Sequence, residues 1–204
     1  CAGAEIKYVK PDFNAPDLVG VLPANNESTD LTAPKAVEGA VSGALIGMGY
    51  FPIVTPVQEA ILKGLGLTDG GQMNAFKIGD LEKALGVDGA VTTDIETFSK
   101  VNLGVYISPT VAATVSLYGQ DGDKLWTAHS KYTTKQFNLS ASAIIQNAAT
   151  SLATDVLSKT LHVQLVPESQ MMGGLLVQKA QMNKPSLNYP GPGGLPAAGA
   201  SASK

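Results

Sequence analysis

A single cysteine among 204 residues excludes an internal disulfide and a cysteine-rich metal site. Charged residues are also scarce, at 15% of the chain, and the net charge is -3. With no run of Lys or Arg, nothing is present to grip a phosphate backbone, and no nucleic-acid partner is expected. Long apolar runs are missing too. The most apolar window, residues 36–54, is broken by Glu38, glycines and Pro52, whereas a membrane-spanning helix needs about 20 apolar residues. A buried helix running into a buried strand fits that window better.

Catalytic equipment is equally sparse. The two histidines, His129 and His162, have no Cys, Glu or second His at ligand spacing, so both read as structural and no metal is expected. No G-x-S-x-G elbow and no nucleophile–base pair occur. Asp94 and Glu96 lie two apart on an expected strand and so share one face, where a carboxylate pair reads more readily as solvated surface than as an acid–base pair. Asp121 and Asp123 flank Gly122 in an expected turn and lack the downstream Glu of a calcium loop. Residues 64–72, GLGLTDGGQ, are glycine-rich, but no strand leads in and no Lys-Ser or Lys-Thr pair follows, so a flexible loop after a helix end is expected instead of a phosphate loop. No catalytic residue, cofactor or enzymatic activity is expected.

The one cysteine stands first, at Cys1, without a methionine before it, and Ala2, Gly3 and Ala4 follow. Bacterial lipoprotein signal peptides are cut before a cysteine whose thiol then carries a diacylglycerol. Cys1 is therefore expected to be a lipidated membrane anchor, with palmitate-type acyl chains, and residues 1–17 a flexible leash, since Pro11 and Pro16 oppose regular helix. Ala2 is not the Asp that favours inner-membrane retention, so the outer membrane is expected.

Periodicity gives the rest. Val19–Pro23 reads as a buried strand, followed by the polar loop ANNESTD. Pro34 opens a helix in which Gly39, Gly43 and Gly47 fall on one face, expected to pack tightly on the protein's own sheet. Tyr50–Val54 is a second strand, with Pro52 pointing to an edge or bulge. Thr55, Pro56 and Gln58 have capping-box spacing for a helix over 56–63. A short helix follows over 78–85, then a strand over 89–99. Val111, Ala113, Val115 and Leu117 alternate with polar neighbours, and the turn QDGD returns the chain as KLWTAHSKY, making a hairpin over 111–132. A long amphipathic helix is expected over 140–161. From 167 to 204 the chain is rich in Pro, Gly and Ala and reads as an irregular tail, an interaction segment in which MMGGLLV makes at most a short docking patch. The fold class is α/β: a four- to five-stranded mixed sheet with helices packed against it, over residues 18–166.

The ordered segments VLPANNES (21–28), GYFPIVTPVQEAILKGLGLTDGGQ (49–72), LEKALGVDGAVTTDI (81–95) and TVSLYGQDGDKLW (114–126) resemble a family of bacterial outer-membrane lipoproteins of unknown function, typified by a meningococcal surface-antigen candidate. The resemblance implies a fold similar to the amino-terminal domain of TolB and the periplasmic domain of the curli secretion lipoprotein CsgG. It carries no established active site. It implies a lipid-anchored domain facing the periplasm, acting as a structural or assembly subunit with copies of itself or with a CsgG-like lipoprotein. The interaction surfaces expected are the free edge of the 111–132 hairpin and the tail. The alternative is a periplasmic binding module for cell-wall polymer or a small ligand, using the 64–72 loop.

Overall fold

A computed structural model describes residues 2–10, 12–53, 55–103, 106–137 and 165–182. Cys1, His162, the helix expected over 140–161 and the chain after 182 lie outside the described residues.

The centre is one mixed sheet. Its main path runs β1 (Ala2–Tyr8), β7 (Lys124–Thr133), β6 (Tyr106–Gly119), β5 (Gly89–Asn102), β2 (Leu18–Val21), β4 (Phe51–Pro52). Two-residue strands add β3 (Asn25–Asn26) beside β5 and β8 (Gln136–Phe137) beside β6. This corrects the expected four or five strands to six on the main path. β2 is parallel to both β4 and β5, and the β5–β6, β6–β7 and β1–β7 pairs are antiparallel.

The largest correction concerns the chain ends. Ala2–Tyr8, expected as leash, is an edge strand paired to β7 from Ala2↔Tyr132 to Tyr8↔Trp126. Its alternation explains why: Ala4, Ile6 and Tyr8 turn to the core while Glu5 and Lys7 face outward. Pro16 lies past the strand, so it did not oppose it. At the other end, Val166–Met182, expected as the start of an irregular tail, is a helix, called α4 here. Met172, Leu176 and Ala180 on its inner face are buried, and Ser130 Oγ donates to the Met172 carbonyl at 2.9 Å.

Alternation along β2 assigns the helices to opposite faces. Val19 and Val21 join the cluster built by α1 (Ala33–Gly47) and α4, while Leu18 and Leu22 join the one built by α2 (Thr55–Gly64) and α3 (Ile78–Leu85). α1 presents Ala33, Val37, Val41, Ala44 and Leu45 to the first core, with Pro34 in its first turn. The glycine face of α1 does not pack on the sheet as expected. Gly39 and Gly43 look into open space, and only Gly47 has a close neighbour, Val177 of α4. The helix–helix approach instead uses Gly173, where a Cβ would stand 2.8 Å from the Ala40 carbonyl oxygen.

Gln58 is buried, and its Oε1 accepts the Val21 N–H at 3.0 Å, tying α2 to β2. The expected flexible loop after α2 contains an ordered 3₁₀ turn, Gly70–Ala75, held by a capping box between Asp69 and Gln72. α3 ends at Gly86, whose left-handed φ of 66° closes the helix.

The expected β6–β7 hairpin is present, closed over Gly119–Asp123. It has no free edge, because β1 covers β7 and β5 covers β6. The surface expected to extend a neighbour's sheet is thus internal, and among the described residues the sheet ends at β1 and β4.

Candidate functional site

Three parallel strands in the order β4–β2–β5 create a reversal of direction. The chain leaves β2 for α1 on one face and leaves β4 for α2 and α3 on the other. In open α/β sheets, ligands bind in the crevice at the carboxyl ends of strands beside such a switch. Beside that switch, past the carboxyl end of β2 and against β5, lies a cavity of about 360 Å³.

One wall is the strand β5, with Thr92, Thr93 and Asp94. The opposite wall is the 3₁₀ turn, with Gly70, Gly71, Met73 and Asn74, and Phe76 and Ile78 close an apolar side. Asn25, just past β2, donates from Nδ2 to Asp94 Oδ1 at 3.1 Å, because Asn25 and Asp94 are register partners of β3 and β5. Gly70 is fully packed against the Ala24–Asn25 backbone, so any side chain there would collide with main chain. The turn can lie this close only because residue 70 lacks a Cβ.

Behind the crevice, Glu38 of α1 accepts the Ala24 N–H at 2.8 Å. Burial pushes its carboxyl above the usual range, the Ala24 hydrogen bond opposes this, and the nearby Glu59 and Asp69 add to the rise. The arrangement offers a small polar guest an amide–carboxylate pair, hydroxyls and glycine backbone beside an apolar wall.

Farther along the same face, a second polar group assembles. β5 bulges between Ile95 and Thr97, and the extra residue is Glu96. Its Oε1 accepts Thr114 Oγ1 at 2.6 Å and its Oε2 lies 3.2 Å from His129 Nε2. Thr114 and His129 are directly opposite each other on β6 and β7, so the carboxylate reaches across one strand to the imidazole. Both side chains are partly exposed. The face continues in hydroxyl pairs, Ser116 with Thr127 at 3.0 Å and Thr110 with Thr133 at 3.1 Å.

The residues singled out from sequence thus separate. Asp94 lines the crevice with the 64–72 segment, and Glu96 joins His129 outside it. Asp123 forms an ion pair with Lys10 in the far hairpin turn. Asp121 lines a second recess with Glu82 of α3. The missed members are Asn25, Thr114 and Glu82. Asn25 lay in plain view in ANNESTD, but only strand register aims it at Asp94. Among the described residues, no group of three or more His, Cys, Asp or Glu side chains has metal-holding geometry. No described helix is long and apolar enough to cross a membrane.

A family model described as "Putative lipoprotein GNA1162-like" matches residues 7–182. The chain belongs to that family. No curated protein matches it. Among solved structures, the crystal structure of lipoprotein GNA1162 from Neisseria meningitidis is similar at 19% identity and a TM-score of 0.55, over 70% of this chain and all of that one. A PelC dodecamer from Paraburkholderia phytofirmans aligns at 15% identity and a TM-score of 0.46, over 84% of this chain and 99% of the other. The NMR structure of E. coli LpoB aligns at 17% identity and a TM-score of 0.44, over 60% and 58%. The GNA1162 match shows a shared fold, and the family description makes this a lipoprotein-family chain.

Proposed function

We propose that this member of the GNA1162-like family is a lipid-anchored subunit of an envelope assembly, held to the outer membrane through Cys1 with its domain in the periplasm. The supporting observation is an elimination. A lipoprotein needs a cysteine to acylate, and this chain has one, Cys1. Acyl chains at about 0.8 kcal/mol per buried methylene make such an anchor effectively permanent.

Its role is structural, not catalytic, and its contacts are with copies of itself or a CsgG-like lipoprotein. The two ends of the sheet support this. β1 offers a seven-residue edge, and the opposite end at β4 exposes Phe51 at 65% and the neighbouring Ile46 at 63%. Edges that differ in this way pair head to tail, and a head-to-tail contact closes into a ring when its rotation divides a full turn. Native mass measurement of the detergent-extracted protein tests this. Oligomers that dissociate in the Phe51→Asp variant are expected, and a strictly monomeric species counts against the assembly role.

A second reading is favoured by the crevice between Asp94 and the 3₁₀ turn, which suits a cell-wall fragment or another small polar ligand. A dose-dependent rise in melting temperature with soluble cell-wall fragments is its expected signature.

A further inference from the structure

The antiparallel pair β5–β6 is longer than the sheet it belongs to. The register runs in a row Ala2↔Tyr132, Tyr132↔Val111, Val111↔Phe98, which marks where β1 begins. β5 and β6 continue past that row through Val101↔Ser108 and Asn102↔Ile107, with β8 alongside. From Phe98 to Leu103 the arm projects roughly 17 Å beyond the row at 3.3 Å per residue. Near its tip, Leu103 is 70% exposed and Val101 46% exposed. Neither packs against the core, though both are apolar.

The direction of the arm matters. β1 runs antiparallel to β7, so its first residue, Ala2, stands at this same end of the sheet. β1 and β5 are separated by two strands, which at about 4.8 Å per step puts the start of β1 and the arm roughly 14 Å apart laterally. A flat surface can therefore touch both when the strands lie inclined to it.

Charge points the same way. Lys100 on the arm, Lys131 beside Gly3 on β7 and Lys135 just past β7 are exposed and lie between anchor and tip. No Asp or Glu occurs from 97 to 118 or from 124 to 137. Asp88, Asp121 and Asp123 lie at the other end of the same strands, around the β6–β7 turn, and Glu5, Asp94 and Glu96 stand between the two ends.

We propose that the β5–β6 arm is a second membrane contact. Val101 and Leu103 enter the headgroup–acyl boundary, while Lys100, Lys131 and Lys135 meet anionic headgroups. This rests on the Cys1 anchor proposed above. It turns a tether that leaves the domain free to swivel into a two-point attachment that fixes the tilt of the sheet and the direction in which the β4 end faces.

The test uses the full-length lipidated protein carrying Leu103→Trp, in vesicles of phosphatidylethanolamine and phosphatidylglycerol with brominated acyl chains. The native Trp126 is completely buried and serves as the unquenched background. Strong quenching of the added tryptophan is expected, lost when Lys100, Lys131 and Lys135 are replaced by Glu. A tryptophan that stays unquenched while the protein floats with the vesicles overturns the arm contact and leaves the anchor intact. A free Cys1 thiol in the intact mass removes the anchor and this inference with it. A Leu103→Asp variant with an unchanged melting temperature but a changed native mass overturns it in favour of a contact between copies.

Discussion

Trp126 Nε1 donates to Tyr50 Oη at 3.3 Å, with both side chains fully buried. The bond joins the middle of β7 to the turn that leads from α1 into β4, two regions 76 residues apart. It lies in the larger core and couples the antiparallel half of the sheet to the parallel half. An indole N–H has no second way of being satisfied when buried. Tyr50→Phe keeps the ring and removes the acceptor, so it is expected to cost about 1–3 kcal/mol in urea denaturation. A cost near zero would mean the N–H finds water or another partner.

The α1–α4 contact gives a second expectation. Alanine normally favours a helix over glycine by about 1 kcal/mol. At Gly173 the added methyl would press on the Ala40 carbonyl at 2.8 Å. Gly173→Ala is therefore expected to destabilise, by about 1–3 kcal/mol as for overpacked cores. At Gly174, one residue on, a Cβ meets nothing within 4 Å, and the same substitution there is expected to stabilise. Opposite signs at adjacent positions, measured by thermal melts, check that α4 docks as described.

Glu82 supplies a pH dependence. It is 1% exposed, the backbone amides near its carboxyl fall short of full hydrogen-bond geometry, and burial pushes its pKa up to about 7. The backbone amides of Gly122 and Ala90 and the side chain of Lys83 offset this only in part, and Asp121 adds to it. Above its ordinary value of 4.5 the unfolded chain holds the group ionised, while the folded chain keeps it protonated until about pH 7. The unfolded state then binds fewer protons, so stability falls as pH rises between these values. The expected loss is on the order of 3 kcal/mol. Glu82→Gln is expected to flatten the profile and to be the more stable form at pH 8. A wild-type protein more stable at pH 8 than at pH 5 would contradict this.

The Glu96–His129 pair is expected to matter little for folding. It is partly exposed, and such pairs contribute about 0–1 kcal/mol. Glu96→Gln should shift the denaturation midpoint only slightly. A loss of several kcal/mol would show that the bulge itself depends on the charge.

Gly70 has a sharper role. Because its neighbours are main-chain atoms of Ala24 and Asn25, Gly70→Ala must displace the 3₁₀ turn or the β2–β3 strand. The expected outcome is a lower melting temperature together with loss of any ligand-induced shift. A variant that melts normally and keeps that shift would place ligand binding elsewhere.

Much of the layered plan was legible because it is local. The alternation of Val111 to Leu117, the turn QDGD and the α3 stop at Gly86 each carry their own signal. What was lost depends on distant partners. The alternation of Ala4, Ile6 and Tyr8 is short and becomes a strand only because β7 offers an edge. The α4 segment has adjacent glycines that argue against helix, and it folds because one of them fits the Ala40 backbone. Among the site residues, Asp94, Glu96 and His129 were each visible, but their sorting was not. Strand register pairs Asp94 with Asn25, and one bulge sends Glu96 to His129. No residue type or spacing announces either event.

The account depends most on Cys1, and the intact mass of protein extracted from native envelopes tests it directly. The expected mass exceeds that of the 204-residue chain by a diacylglyceryl group and an N-terminal acyl chain, and Cys1→Ser removes both along with membrane association. An unmodified chain mass with a titratable thiol would contradict it.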